Sequence, residues 1–230
     1  MEVEERNMKT FAQLYPIWNQ LTPEEQKTLS NAARPRRVAA GETVHSGSDD
    51  CVGLFLVAQG QLRAFILTEE GKELTLYRLF AGDLCLFSAS CILGGLQLDI
   101  LVQAQEETFC YVVPADIYRR FMHTSLAVAN YTNELMAARF ADVMWLLDQV
   151  VSKSFDSRLA AFLVEETRRS GNPVRLTHEQ IARHLGSARE VVTRMLQYFR
   201  SEGLVSLSRG GITLTDEKRL RAVAQQSLRE

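Results

Sequence analysis

The sequence predicts an α+β protein with three segments: an N-terminal β-barrel of the jelly-roll kind, one long helix, and a C-terminal winged helix-turn-helix. Three observations predict it. Short β-runs broken by glycine turns fill the stretch between Arg36 and Pro114, and a run from Ser125 to Val150 holds neither Gly nor Pro while its apolar residues fall at heptad spacing. Near the C-terminus two capped amphipathic helices are followed by a hairpin pattern. The expected boundaries are 1–124, 125–151 and 152–230.

Composition sets the frame. A chain of 230 residues with 46% hydrophobic side chains is long enough for two cored domains. The start is charged, and no apolar run approaches the roughly 18 residues needed to cross a bilayer, so neither a signal peptide nor a membrane span is expected and a cytoplasmic location is. Cys51, Cys85, Cys91 and Cys110 are widely spaced, without the paired spacing of a structural zinc site, and read as reduced thiols; no metal is expected. The net charge of −2 conceals an asymmetry: residues 152–230 hold 14 Lys and Arg against 9 Asp and Glu, whereas the remainder is acidic. Only the C-terminal segment suits a polyanion.

The elements follow in order. Thr22 caps a short helix, with Pro23 at its first position and Glu25 completing a capping box. Val52 to Val57, Leu62 to Leu67, Glu73 to Leu79 and Cys110 to Val113 read as strands, with turn signals at Gly41, Gly60, Gly71 and Gly82 and a hairpin tip at Glu69-Glu70-Gly71-Lys72. In the long helix, Leu126, Ala129, Asn133, Met136, Phe140, Val143, Leu147 and Val150 alternate at spacings of three and four, which is a coiled-coil seam. A parallel copy from a second subunit would cover it, with Asn133 fixing register, and a homodimer is expected. The same spacing also permits one amphipathic helix docked on its own barrel.

The run from Leu176 to Leu196 reads as two helices around a tight turn. Thr177 and Gln180 have capping-box spacing, Gly186 ends the first helix, and Ser187 is expected to cap the second, with Glu190 at box spacing from it. In that second helix Val191, Val192, Met195, Leu196 and Phe199 can face a core, leaving Arg189, Glu190, Thr193 and Arg194 outward. Arg donates two hydrogen bonds to guanine O6 and N7, a Glu carboxylate accepts from cytosine N4, and Thr193 suits a thymine methyl or a phosphate. Leu204 to Leu214 alternates around Arg209-Gly210-Gly211, the pattern of a two-stranded wing with Arg209 at its tip, in reach of phosphate. Singly, an exposed Arg is a solvated side chain and a Glu is a cap. Within about 40 residues, two capped helices, a Gly turn and a wing form the groove-docking unit of double-stranded DNA readers.

The whole chain resembles the Crp/Fnr superfamily, that of the cyclic-AMP receptor protein and the fumarate-nitrate reduction regulator, most specifically in Gly186-Ser187-Ala188-Arg189-Glu190-Val191-Val192-Thr193-Arg194. The resemblance implies a cyclic-nucleotide-binding-like sensor domain and a transcription regulator. It also implies a palindromic operator with half-sites akin to TGTGA or TTGA, and contact with RNA polymerase. It puts Arg189, Glu190 and Arg194 on base-reading positions, with Thr193 variable, and brings Thr177, His178 and Ser187 to phosphates. An effector would act on the packing between barrel and long helix, resetting the angle of the two DNA-reading helices.

The family's nucleotide pocket takes a Gly-Glu pair after a Gly-Asp turn and an Arg followed by Ser or Thr. After Gly82-Asp83 this chain instead continues Leu84-Cys85-Leu86-Phe87-Ser88-Ala89-Ser90-Cys91, and it carries Leu98-Asp99 where the phosphate-binding pair should stand. Asp99 repels a phosphate, so cyclic AMP and cyclic GMP are disfavoured as effectors. Cys85, Phe87, Ser88, Cys91 and Asp99 are the effector-pocket candidates. Haem stays an open alternative on a loose likeness of Cys85 to the ligand of carbon-monoxide sensors, against which stands the absence of the following His. The duller reading of these cysteines, and of His45 and His123, is ordinary packing. Catalytic signatures such as a phosphate loop or H-E-x-x-H are missing, so no enzyme is expected. The competing reading is a ligand-binding signalling module whose winged helix contacts protein.

Overall fold

The computed structural model describes residues 9–46, 53–69, 71–86 and 99–225. Contacts divide the chain into two compact units, one of Met1–Leu67 with Leu76–Asp142 and one of Thr68–Thr75 with Val143–Glu230.

The N-terminal unit begins with α1 (Phe11–Leu14), a 3₁₀ turn (Trp18–Gln20) and α2 (Pro23–Ala32). The capping box forms as predicted: the Glu25 N–H donates to Thr22 Oγ1 at 3.3 Å and the Thr22 N–H to Glu25 Oε2 at 2.7 Å. The strands are β1 (Arg34–Val38), β2 (Thr43–Ser46), β3 (Leu54–Gln59), β4 (Leu62–Leu67), β5 (Glu73–Leu79), β6 (Leu84–Cys85), β7 (Ile100–Ala104) and β8 (Thr108–Val113). They form two four-stranded sheets, ordered β1-β8-β3-β6 and β2-β7-β4-β5, a jelly-roll arrangement and, among the described residues, not a closed barrel. Phe55, Val57, Leu62, Ala64, Val102 and Ala104 are buried in one apolar cluster within it.

Strands Leu62–Leu67 and Glu73–Leu79 match the sequence reading. The strand expected from Val52 runs from Leu54 to Gln59, and Cys110–Val113 is the second part of β8. β1 escaped notice because Arg34-Pro35-Arg36-Arg37 is charged and holds a proline; as an edge strand it tolerates both. Gly60 sits at φ +90°, and a Cβ there would stand 2.6 Å from the Glu107 carbonyl oxygen, so only glycine makes this turn. Arg63 is 2% exposed, its guanidinium 4.0 Å from the centroid of the Phe65 ring. Strand alternation places it on the opposite face of β4 from Leu62 and Ala64, away from the apolar interior.

Two helices follow, α3 (Ala115–Thr124) and α4 (Leu126–Ser152). Thr132 Oγ1 donates to the Val128 carbonyl at 2.7 Å, so the Tyr118 hydroxyl, 2.8 Å away, is the donor in the buried bond that joins the two helices. The Arg139 guanidinium lies 4.6 Å from the centroid of the Tyr77 ring, a second tie between α4 and the sheets. Part of the expected heptad seam is therefore turned inward. Met136 packs against the N-terminal unit's own core beside Leu135, and Ala129 is half-buried. The large apolar side chains left exposed on α4 are Leu126 at its start and then Phe140 at 67%, Met144 at 46%, Leu147 at 52%, Val150 at 43% and Val151 at 74%. Asn133 is exposed in line with them. Of the expected seam, Leu126, Asn133, Phe140, Leu147 and Val150 are exposed, whereas Ala129, Met136 and Val143 are half-buried, and Met144 and Val151 are exposed beside them.

The C-terminal unit contains α5 (Phe155–Ser170), α6 (His178–Leu185), α7 (Arg189–Ser201), β9 (Val205–Ser208), β10 (Gly211–Leu214) and α8 (Glu217–Ala224). Leu159, Leu163, Ile181, Leu196, Phe199 and Leu220 share one apolar cluster, each fully buried. Burying each such side chain contributes about 1.5–3 kcal/mol, which is what holds the four helices together under the hairpin. Among the described residues no helix is long and apolar enough to cross a membrane.

Candidate nucleic-acid interface

The surface built by α6, α7 and the β9–β10 hairpin starts from local caps. Thr177 Oγ1 accepts from the Gln180 N–H at 3.1 Å, and Gln180 Oε1 accepts from the Thr177 N–H at 2.8 Å, so α6 begins where its capping box predicts. It ends at Gly186, whose φ of 62° and ψ of 43° are left-handed, the conformation that terminates helices and favours glycine. The Arg158 guanidinium on α5 donates to the Leu185 carbonyl at that end, and burial pulls its pKa below the ordinary arginine value. A cation on the last-turn carbonyls answers both their missing partners and the negative end of the helix dipole.

Ser187 does not cap α7, contrary to expectation. Its N–H closes the end of α6 by donating to the Ala182 carbonyl at 3.0 Å, and the cap position falls one residue later, on Ala188. The Ala188 carbonyl accepts from the Val191 and Val192 N–H groups at 3.1 and 3.2 Å, with no side-chain cap, so Glu190 completes no box with Ser187. The turn needs Gly186 and Ser187 to leave one helix before the next can start.

Along α7, Val192, Leu196 and Phe199 are buried, whereas Arg189, Glu190 and Arg194 are exposed and Thr193 is half-buried. Val191 and Met195, expected in the core, are only partly covered. Thr193 is engaged: its Oγ1 donates to the Arg189 carbonyl at 2.9 Å and lies 2.9 Å from His178 Nδ1. Burial first, and the Arg189 charge second, hold the His178 pKa below its usual 6.5.

The wing is a two-stranded antiparallel hairpin with Ser208 opposite Gly211 and Arg209 exposed at its tip. A third strand segment joins it: Val174 and Ile212 exchange backbone hydrogen bonds of 2.9 and 3.0 Å. Asn172 reinforces the join, its Oδ1 accepting from the Leu214 N–H at 3.0 Å and its Nδ2 donating to the Leu214 carbonyl at 3.2 Å. These pairings bring Arg175 and Ser208 to one cleft of about 190 Å³ with Thr177 and His178. Sequence reasoning missed Arg175 and Ser208, because nothing local says that residue 174 pairs with residue 212.

Of the effector candidates, Cys85 and Asp99 are among the described residues. Cys85 is fully buried on β6, and Asp99 is exposed before β7. Phe87, Ser88 and Cys91, like Cys51, lie outside the described residues. Cys110 is buried with its thiol pushed up to about 12 by desolvation, so it stays protonated and unreactive at neutral pH. His45 is buried on β2 and His123 is exposed near the end of α3.

A helix can read the major groove only if the side it presents carries hydrogen-bonding groups and its apolar side is already buried. α7 meets that condition, and with α6 and the hairpin it defines a winged helix-turn-helix DNA-binding protein. Residues 157–223 match the family described as the Crp-like helix-turn-helix domain, and residues 35–125 the cyclic nucleotide-binding domain. A solved transcriptional regulator of the Crp/Fnr family from Eubacterium rectale is 52% identical with a TM-score of 0.88, over 92% of this chain and 99% of that one. The chain belongs to the Crp/Fnr family and is a DNA-binding transcription regulator of that type. It is 26% identical over 210 residues to the cyclic AMP receptor protein of Thermus thermophilus, covering 91% of this chain and 96% of the relative. To the fumarate and nitrate reduction regulatory protein of Salmonella typhimurium it is 25% identical, covering 83% and 78%.

Proposed function

We propose that this regulator reads a two-fold-symmetric operator as a homodimer, with Arg189, Glu190 and Arg194 on base edges, Thr193 beside them, and Thr177, His178, Ser187 and Arg209 at phosphates. The observation that carries the reading is the division of α7: three polar, exposed side chains near its N-terminus stand over a buried Val192, Leu196 and Phe199. Arg175 and Ser208, which share the cleft with Thr177 and His178, join the phosphate contacts. Pairing through Asn133, Phe140, Met144, Leu147 and Val151 supports the dimer, since this stripe is apolar and uncovered below Asn133. Two reading helices in such a dimer enter successive major grooves about 34 Å apart. The effector is other than cyclic AMP: Asp99 stands where an anion's counter-charge belongs, and Arg63 faces away from the apolar interior. Contact with RNA polymerase completes the proposal for a cytoplasmic regulator.

The test is a binding titration of the full chain against TGTGA- and TTGA-type palindromes and a scrambled duplex at fixed salt. Arg189→Ala is expected to cost about 1–3 kcal/mol per half-site on the operator and to leave scrambled-duplex affinity nearly unchanged. Equal losses on both duplexes would demote Arg189 to a phosphate contact and overturn the assignment of α7 as the base reader.

A further inference from the structure

Thr193 stands among the outward residues of α7, yet its hydroxyl has no hydrogen left to donate to a base. A threonine hydroxyl has one hydrogen and two lone pairs. The Arg189 carbonyl can only accept, so the 2.9 Å bond to it uses the hydrogen. The 2.9 Å bond to His178 is then donated by Nδ1–H and uses one lone pair. A helical threonine otherwise divides between two rotamers, because its oxygen gains a backbone acceptor in one of them. Histidine 178 breaks that tie from the first turn of α6.

We infer that His178 is a positioning residue for DNA specificity: by holding the Thr193 hydroxyl inward it leaves the Thr193 methyl as the group that meets the base, so that this position of α7 selects the 5-methyl of thymine. This rests on the assignment of α7 as the DNA-reading helix. It goes beyond that assignment in naming the atom that reads, the base feature it reads, and the residue that sets it. A hydroxyl free to donate would donate to thymine O4 or guanine O6 alike; a hydroxyl already donating to the backbone offers neither oxygen a hydrogen and tells the two bases apart by apolar contact.

The experiment replaces each thymine of the operator half-site in turn with deoxyuridine, which lacks only the 5-methyl, and measures affinity by fluorescence anisotropy. For the natural protein, one thymine per half-site should show a loss of roughly fourfold, the worth of one buried methyl, or about sixteenfold when both half-sites are changed. Thr193→Val, which keeps the shape and a methyl, should retain that thymine-to-uracil ratio, and Thr193→Ser should bring it to about one. His178→Ala should lower the ratio while Thr193 is present, and the double variant His178→Ala with Thr193→Val should restore it, because valine has no hydroxyl to aim. A purely structural role for His178 would weaken binding without moving the ratio, and that result overturns the inference. So would a ratio that survives Thr193→Ser, or the lack of any thymine sensitive to loss of its methyl. A natural protein that fails to distinguish operator from scrambled duplex instead refutes the reading of α7 itself.

Discussion

Replacing Arg158 by Met should destabilise the C-terminal unit, because its guanidinium completes the end of α6 from a neighbouring helix. Methionine keeps an apolar stem of similar length and removes only the donor and the charge. The Leu185 carbonyl would lose a charge-assisted hydrogen bond, worth about 1.5–3 kcal/mol where it is shielded from water, along with a helix-dipole contribution of about 0.3–1 kcal/mol. Arg158 is half-buried, so water reclaims part of this and about 2 kcal/mol is the expected net cost. For a unit of this size each kcal/mol lowers the melting temperature by roughly 4–8 °C, which places the loss at roughly 8–16 °C. Differential scanning calorimetry of the full chain measures it, and Arg158→Lys should recover part of the loss, since one ammonium donor can reach the same carbonyl. A melting temperature for Arg158→Met within roughly 2 °C of the natural protein would refute the reasoning, and would mean that Gly186 and the α6–α7 core hold the turn unaided.

Two further outcomes are expected. In the free protein His178 is held below its usual pKa, and its Nδ1–H is given to Thr193, so only a protonated Nε2 can donate to a phosphate. Operator binding should then take up as much as one proton per protomer. Affinity should rise as pH is lowered from about 8 to 6, by at most about tenfold per pH unit for each protomer, while His178→Gln gives a flatter profile; parallel profiles would remove His178 from the phosphate contacts. On α4, Phe140→Glu combined with Leu147→Glu places charge on side chains that are exposed within one chain, so folding should persist while sedimentation shifts from dimer to monomer. A dimer that survives both changes would show that the copies pair elsewhere.

The sequence by itself determined the elements whose causes lie within one helical turn. The capping boxes Thr22–Glu25 and Thr177–Gln180, the left-handed stop at Gly186 and the helical run after Ser125 are written in residues three or four apart, where sterics and single hydrogen bonds decide. The polar and apolar sides of α7 were legible for the same reason. Where such signals crowd together, local reading slipped by a residue: Ser187 has the chemistry of a cap, but it still belongs to the closing turn of α6, and the cap position falls on Ala188. Only the tertiary structure decided the phase of α4, because whether Met136 or Met144 faces outward depends on where the Tyr118–Thr132 and Tyr77–Arg139 ties hold the helix. It also decided the third strand of the wing, which joins residues 174 and 212, and the pairing of His178 with Thr193 across two helices. Those contacts depend on how separate elements dock, and docking is set by the fit of whole buried faces, a property that no short window of side chains contains.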